Sequence, residues 1–269
     1  MIGINIQELK PPYFIHSDIF FVRNIFKTLN KKYQNVDEYL KLNKDLIYDL
    51  FKDEFVIPAF NYDFGETKVF DAKNDQSQVG ALTEYIRKDK GIQRSHVPFY
   101  STLSSKNFVK TQEKIFPFGK NSIFDIFYKK SGTIIQYGCN FKDGLTMLHY
   151  IEQIDKVPVY RYEKIFNGQI ILNNINVPCE VKMHVRPKNF LINYDWEKII
   201  LDLENQNLII KSNINVNIRA MSSNLITDFI SEKMQYDELY LLNSECKNRV
   251  KKKLDSLGRS FNILDFENE

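Results

Sequence analysis

Residues 133–152 read TIIQYGCNFKDGLTMLHYIE, and this stretch decides the fold class. Its first part, residues 133–138, is a short apolar run typical of a buried strand. A polar loop follows, and a helix carrying Thr146, His149 and Glu152 comes next. Because a buried strand that leads through a loop into a helix is the building unit of α/β proteins, the sequence predicts an α/β fold.

The first half of the chain continues this alternation on the N-terminal side. Apolar residues recur at helical spacing over residues 36–51, and shorter apolar runs indicate strands at residues 13–15 and 55–60. Ser77 is placed to cap a helix through Arg87, and another helix is predicted from near Ser122 to just before Gly132.

The second half has a different pattern. Three strands are predicted, separated by Asn-Gly and Asn-rich turns, at residues 159–166, 169–175 and 179–185. A helix around residues 196–203, a strand around 208–216 and a helix within 224–242 follow. The charged residues 243–269 predict a surface tail. The economical architecture is one domain over residues 1–269, an α/β/α sandwich with an antiparallel β-rich insertion in its second half.

Composition excludes several functional classes. The 37 Lys and Arg nearly balance the 34 Asp and Glu, leaving +3, so the chain lacks the basic footprint of a nucleic-acid binder. Its three cysteines form no CxxC pair, which disfavours a disulfide scaffold or a zinc site. No signal peptide or membrane-length apolar run is present in the sequence, so we expect no membrane partner and a cytoplasmic protein.

Thr146, His149 and Glu152 are three residues apart, so a helix places them on one face. The carboxylate can orient the imidazole or bind an ammonium, and the imidazole can accept a proton near neutral pH. This spacing also occurs by chance in helices, so it predicts an acid–base site only together with other features.

The other histidines and Cys139 leave alternatives open. His184 lies on the polar face of an alternating strand, which predicts solvated surface. His16 and His96 follow apolar segments, where α/β proteins build sites, but each could equally cap a neighbouring element. A metal-dependent hydrolase would combine these two with His149. Cys139 could act as a covalent nucleophile, although a small buried residue at a strand end is the simpler interpretation.

Three segments together resemble the aminoglycoside 3-N-acetyltransferase family. They are IPAFNYDF (residues 57–64), VFDAKNDQSQVGALTEYIR (69–87) and Arg94-Ser95-His96-Val97-Pro98. The Thr146–x–x–His149–x–x–Glu152 element and the early His16-Ser17 turn are similar to further motifs of that family, with Asp18 replacing a serine. By contrast, dinucleotide (GxGxxG), P-loop, HExxH and GxSxG motifs are absent from the sequence.

The resemblance implies acetyl-CoA, or another acyl-CoA, as co-substrate, no metal, and direct transfer to an amine. By it, His149 is the general base, Glu152 orients the ring or binds the amine, and Thr146 lies beside the thioester. It assigns a further set to the coenzyme: His16, Ser17, Arg94, Ser95, His96 and Ser101. It places Asp63 and Glu84 with Glu152 at the acceptor, although plain surface is the alternative for Glu84.

The acceptor is left between two classes. Aminoglycosides are polycations, which an acidic surface would suit, whereas the chain is slightly basic. We therefore expect a nucleotide-linked amino sugar for surface polysaccharide synthesis, with an aminoglycoside, and hence antibiotic resistance, as the alternative. A third possibility is an inactive CoA-binding or interaction protein that keeps the fold.

Overall fold

A mixed seven-stranded sheet forms the centre of the computed structural model, which describes residues 2–106, 108 and 113–267. In sheet order the strands are β10 (Ile210–Lys211), β11 (Ile218–Ser222), β7 (Thr133–Tyr137), β1 (Tyr13–Ser17), β2 (Phe55–Pro58), β5 (Thr102–Ser104) and β4 (Gln93–Arg94). The neighbours β7, β1 and β2 run parallel, and the outer strands pair antiparallel. Because parallel strands end at the same edge, the loops after β1, β2 and β7 meet there.

A second sheet of four strands lies in the region predicted to be antiparallel. Its order is β3 (Val69–Asp71), β8 (Tyr162–Leu172), β9 (Ile175–Val185) and β6 (Lys114–Ile115). The long pair β8 and β9 is antiparallel, whereas β3 and β6 add to it in parallel. The antiparallel insertion predicted for the second half is thus a hairpin extended by two short strands from the first half.

Helices cover both faces of the central sheet. They are α1 (Arg23–Thr28), α2 (Val36–Phe51), α3 (Phe64–Thr67), α4 (Ala81–Arg87), α5 (Ile123–Lys130), α6 (Phe141–Gly144), α7 (Met147–Ile154), α8 (Trp196–Asn205), α9 (Ser223–Tyr236) and α10 (Ser244–Leu257). The helix predicted at residues 36–51 is confirmed, and it begins where the Asn35 side chain accepts the Glu38 N–H at 2.9 Å.

Side chains of the central strands alternate between two cores. Phe14, Val56 and Ile134 pack with buried residues of α5, α7, α9 and the small sheet. Their neighbours Ile15, Ile57 and Ile135 pack on the other face with α1, α2 and α4. Since a strand with both faces buried requires a layer of structure on each side, the molecule has the predicted α/β/α arrangement.

The turn predicted at Asn167-Gly168 is wrong. β8 runs straight through both residues, and the chain reverses at Asn173 and Asn174, whose φ angles of 49° and 64° suit a tight hairpin. Gly168 serves a different purpose, because a Cβ there would lie 2.3 Å from the carbonyl oxygen of Lys68. It is the close approach of β3, not a turn, that requires this glycine.

The surface tail predicted beyond Asn243 is also wrong in part. Residues 244–257 form α10, which buries Cys246 and Val250 in a third core with Tyr160 and Leu242. The apolar residues of this helix lie four apart, a helical spacing obscured by its many charges. Burying one such side chain contributes ~1.5–3 kcal/mol, enough to hold the segment on the domain.

Two element boundaries also differ from the sequence prediction. Gly80, not Ser77, occupies the position before α4. Its φ of 101° is a backbone conformation that glycine adopts readily and other residues rarely do. The predicted strand at residues 208–216 is reduced to β10, and the following β11 carries the pairing with β7. The single-domain organisation over residues 1–269 stays a prediction.

Candidate functional site

A cleft of about 640 Å³ opens at the edge where β1, β2 and β7 end. β1 and β7 are in full register from Tyr13↔Thr133 to Ser17↔Tyr137, so the two chains leave the sheet side by side. Gly138 turns the chain after β7 with φ 86°, and a Cβ there would lie 2.0 Å from the Asp18 carbonyl oxygen. Glycine is therefore required to bring the loop after β7 against the loop after β1.

His149 lies where this cleft meets a second cavity of about 370 Å³. Four residues line both spaces: Lys142, Asp143, Thr146 and His149. The first space is bounded by the loop after β1 and the start of α4, and the second by Arg186, Tyr194 and Trp196. One imidazole thus borders two chambers, a position from which it can act on molecules that meet between them.

The predicted histidine–carboxylate pair forms on α7. His149 Nδ1 lies 3.4 Å from Glu152 Oε2, and Glu152 is fully buried. The i,i+3 spacing of the sequence places the two groups one helical turn apart. Thr146 precedes the helix and lines both cavities together with His149, whereas the buried Glu152 lines neither.

Glu152 is held by three further side chains that the sequence analysis did not single out. Tyr160 donates to Oε1 at 2.8 Å and Tyr194 donates to Oε2 at 2.7 Å. The guanidinium of Arg161 forms a buried ion pair with Oε2. Arg161 Nη2 also lies 2.9 Å from His149 Nδ1 and 3.1 Å from the Tyr194 hydroxyl oxygen. The unit is therefore a five-residue cluster and not a pair.

Tyr160, Arg161 and Tyr194 carried little signal in the sequence. The first two precede β8, and Tyr194 lies 42 residues beyond Glu152 in the segment before α8. Only the packing of the small sheet beside α7 brings them to the carboxylate. Arg161 falls within the strand predicted at residues 159–166, and because arginine is seldom buried, nothing in that run indicates a buried charge.

The electrostatics of this cluster keep its charges fixed. Burial lowers the pKa of His149 to about 4, opposed by the Glu152 contact and reinforced by Arg161. Burial alone would raise the pKa of Glu152, but Arg161 and His149 lower it well below its usual range. At neutral pH the imidazole is therefore uncharged and the carboxylate ionised. A neutral imidazole can accept a proton, but a pKa of about 4 makes it a weak base in the unliganded cleft.

Two tautomers of His149 fit its neighbours, because Nδ1 lies 2.9 Å from Arg161 Nη2, a donor, and 3.4 Å from Glu152 Oε2, an acceptor. Arg161 Nη2 carries two N–H groups, and Glu152 and Tyr194 supply an acceptor for each of them. A role as general base requires the tautomer in which Nδ1 donates its proton to Glu152, since only this one leaves the lone pair of Nε2 free. That nitrogen is the one available to the two cavities.

His16 and Ser17 both line the larger cleft, as their predicted coenzyme role requires. His16 is 4% exposed and its ring packs against Phe14 with centroids 5.0 Å apart. Burial lowers its pKa to about 3, so it is a neutral group in the wall.

Arg94 and Ser101 are placed inside the protein and not in the cleft. Arg94 donates to Ser101 Oγ at 2.9 Å and to the carbonyl oxygens of Asp75 and Ala59, each at 2.5 Å. Ser101 in turn donates to the Ala59 carbonyl oxygen at 2.6 Å. Both side chains fix the path of the loop, whose Tyr100 does line the cleft.

Ser95 and His96 border a small separate cavity beside Tyr100. Ser95 Oγ accepts the Thr102 N–H at 2.9 Å, and the pKa of half-buried His96 is lowered by burial. The structure therefore brings neither of them to His149.

Asp63 and Glu84 also lie outside the two cavities that share His149. Asp63 is exposed and accepts from Gln78 Nε2 at 2.8 Å. Glu84 is paired with Arg87 at 2.6 Å and accepts the Ser77 N–H at 3.0 Å. Their predicted acceptor-binding roles have no geometric support, whereas Tyr62, next to Asp63, lines the cleft.

Cys139 lines the cleft but is a poor nucleophile. Burial, together with the nearby Asp18 and Asp143 carboxylates, raises its pKa to about 12. Because the thiolate is the reactive form, this environment disfavours attack by sulfur. His184 is half-buried, and its Nδ1 lies 3.2 Å from Gln153 Oε1, so it is less solvated than its strand position predicted.

Neither a membrane span nor a metal-binding cluster is found in the described part of the chain. None of its helices is long and apolar enough to span a lipid bilayer. Within residues 2–106, 108 and 113–267 no group of three or more His, Cys, Asp or Glu side chains is arranged to hold a metal ion.

Comparison with protein families identifies the class of enzyme. The family model described as aminoglycoside 3-N-acetyltransferase matches residues 56–235, more than half of the chain. The chain belongs to the aminoglycoside 3-N-acetyltransferase family. It is a CoA-dependent N-acetyltransferase, and acetyl-CoA is the co-substrate that fits this family. The resemblance inferred from residues 57–98 and 146–152 is thereby confirmed.

Solved structures of this family share the fold. AAC-IIIb in its binary complex with CoASH is 12% identical, with TM-score 0.66, over 85% of this chain and 91% of that one. YokD from Bacillus subtilis is 17% identical, with TM-score 0.64, over 86% and 90%. AAC-VIa bound to sisomicin is 15% identical, with TM-score 0.65, over 85% and 93%. No curated protein shows significant sequence similarity to the chain.

Proposed function

We propose that this acetyltransferase moves the acetyl group of acetyl-CoA directly to an amine of an amino sugar, with His149 as the general base. The observation that supports this most is the position of His149 at the junction of two cavities, with Nδ1 against Glu152. One cavity can receive the thioester and the other the amine. The reacting atoms then meet at the free Nε2.

The chemistry requires such a base. An amine is protonated at neutral pH, so it must lose a proton to His149 before or while it attacks the thioester carbon. A positioned base contributes roughly 10²–10⁴-fold to such a step. As the C–N bond forms and the C–S bond breaks, the thiolate leaves and can take up that proton. Thr146 is placed to donate a hydrogen bond to the carbonyl oxygen, where negative charge develops.

The larger cleft suits the coenzyme. Its volume of about 640 Å³ is bounded by the His16-Ser17 turn and by Tyr100, and the exposed Lys142 lies at its border with the second cavity. His16 and Ser17 keep their coenzyme-binding assignment in this proposal. We infer that Arg94 and Ser101 act indirectly, by holding the loop that carries Tyr100. Any role for Ser95, His96, Asp63 or Glu84 would require movement from the positions described.

For the acceptor, the comparisons favour the aminoglycoside alternative over the nucleotide-linked amino sugar. The family takes its description from aminoglycosides, and the structural relative AAC-VIa is described with sisomicin bound. We therefore place an aminoglycoside first. The residues next to His149 that would meet its ring amines include the Asp143 carboxylate and the Tyr194 hydroxyl.

One feature of the second cavity favours the nucleotide-linked acceptor. Lys142 and Arg186 line it and form no ion pair among the described residues, whereas Asp143 is its single carboxylate. Arg186 lies over the Tyr194 ring, 5.0 Å from its centroid. Two cations within reach of a ligand attract a phosphate and repel a polycation, by about 1 kcal/mol per unit pair at 4 Å even in water.

The test is a thiol-release assay with acetyl-CoA against a panel of aminoglycosides and nucleotide-linked amino sugars. The variant Arg186→Gln separates the two classes, because it should raise KM for an anionic acceptor and lower KM for a polycation. Turnover on aminoglycosides would assign the enzyme to resistance chemistry. Turnover confined to nucleotide sugars would assign it to glycan synthesis. A protein that does not bind CoA in calorimetry would contradict the proposal.

A further inference from the structure

Arg161 lies at the centre of the buried cluster around Glu152, although no motif of the sequence analysis includes it. Its Nη2 contacts Glu152, lies 2.9 Å from His149 Nδ1 and lies 3.1 Å from the Tyr194 hydroxyl. Its Nη1 donates to the His184 carbonyl oxygen at 2.7 Å. The guanidinium is thus anchored to the backbone of β9 on one side and to the base and its carboxylate on the other.

A count of formal charge shows how Arg161 affects the protonation of His149. With Arg161 present, the buried group of Glu152, Arg161 and neutral His149 has a net charge of zero. A proton on His149 would make it +1 in a site where Glu152 and Arg161 are 0% and 6% exposed. The His149 side chain itself is 21% exposed, but its Nδ1 lies against the buried guanidinium of Arg161, so an added positive charge is unfavourable and the cluster resists the proton.

Without Arg161 the net charge of the group becomes negative. Glu152 and neutral His149 would then leave a net charge of −1 in the same buried space. One proton, shared by the carboxylate and the imidazole, would restore neutrality. The pair would hold that proton near neutral pH, and His149 could no longer accept one from the acceptor amine.

The remaining ionisable groups near His149 do not change this count. Those on the cavity walls it shares are His16, Asp18, Tyr62, Tyr100, Cys139, Lys142, Asp143, Arg186 and Tyr194. The two carboxylates and two cations among them balance in formal charge, and Arg186 acts in the same direction as Arg161, since it also lowers the pKa of His149. His16 is buried as a neutral ring. Tyr160 and Tyr194 donate neutral hydroxyls to Glu152 and stabilise its ionised form.

We propose that Arg161 is a positioning residue that keeps the His149–Glu152 pair free of a proton, so that the imidazole is a neutral base when the acceptor amine arrives. This proposal rests on the proposed base role of His149. It assigns to Arg161 a control of charge that is separable from packing, since a lysine can supply the same charge and a glutamine the same hydrogen-bond donation.

The experiment follows the imidazole Cε1–H signals of the free enzyme by NMR as pH is lowered. The protein has four histidines, so the spectrum of His149→Ala identifies the signal of His149. In the wild-type enzyme His149 should stay neutral down to about pH 5, in line with its lowered pKa. In Arg161→Gln its midpoint should rise by about two pH units or more. Arg161→Lys should keep the midpoint close to the wild-type value.

Three results would overturn the proposal. They are an unchanged midpoint in Arg161→Gln, the same rise in Arg161→Lys, and a wild-type His149 that is already charged near neutral pH. The charge state of His149 in the wild-type enzyme can be measured even if Arg161→Gln does not fold. In kinetics, the acid limb of kcat/KM should move upward in Arg161→Gln by the same shift, which lost packing alone would not cause.

The NMR titration and the base role fail independently. If His149→Ala keeps its activity while the titration shifts as expected, the proposed function is wrong and the charge control stands. If His149→Ala is inactive but the titration does not shift, Arg161 does not set the charge of the base.

Discussion

Two buried arginines, Arg94 and Arg161, show how the same residue can serve opposite purposes in one fold. Arg94 donates to two backbone carbonyl oxygens and a serine hydroxyl, none of which titrates. Arg161 instead contacts a carboxylate, an imidazole and a phenol. The first arginine fixes the path of the chain, and we propose that the second controls the charge of His149.

Their pKa values differ in the direction that this contrast predicts. Burial lowers the pKa of Arg94 to about 10, helped by the nearby positive charge of Arg87. Burial acts on Arg161 as well, but the adjacent Glu152 carboxylate outweighs it and raises the pKa of Arg161 above its usual value. A buried cation beside an anion is therefore part of a charge balance, whereas a buried cation among carbonyl oxygens holds the backbone in place.

The largest effect is expected on stability, from a substitution of Arg94. Replacing Arg94 by Met should lower the free energy of unfolding by about 3 kcal/mol, because buried carbonyl oxygens lose their donors. Urea unfolding measures it, with the exposed Arg23→Met as the matched control. The His149 titration should not change. A folded Arg94→Met with normal stability and weakened CoA binding would return Arg94 to the coenzyme site, where the sequence placed it.

A somewhat smaller effect is expected at the carboxylate that Arg161 holds. Glu152→Gln keeps the shape of the side chain but removes the charge that orients the His149 ring, so kcat/KM should fall roughly 30-fold. Initial rates of thiol release measure this. Glu238→Gln, at a surface pair with Lys156, is the control and should leave the rate unchanged. Equal rates for both variants would show that the carboxylate does not act through His149.

The smallest effect is expected at Cys139, which lines the cleft without taking part in this balance. Cys139→Ser should change kcat by less than about threefold, since a thiol with a raised pKa is not the nucleophile in direct transfer. An inactive but folded Cys139→Ser that binds CoA normally would instead support an acyl-enzyme route.

How much could be foreseen depends on whether a feature is local in sequence. The α7 face with Thr146, His149 and Glu152 was predicted because its spacing is three, and so was α2, whose apolar period and Asn35 cap lie within the same segment. Motif resemblance gave the family, yet it placed Arg94 and Glu84 in the site, where the structure shows internal ties.

The rest depends on contacts between distant parts of the chain. Arg161 and Tyr194 reach Glu152 only because the β8–β9 sheet and the segment before α8 pack beside α7. Likewise, Gly168 looked like a turn because the approach of β3 to β8 cannot be seen from residues 167–168 alone. Such packing between distant segments determines which side chains are buried, and burial determines which charged groups shift the pKa of their neighbours.

The most direct test of His149 as the general base is the activity of His149→Ala measured beside its binding of CoA. Because the base acts after both substrates are in place, acetyl transfer to a productive amine acceptor should fall by at least about 100-fold, while the dissociation constant for CoA in calorimetry should stay within about twofold. Activity within about threefold of the wild-type enzyme would contradict the assignment of His149 as the base.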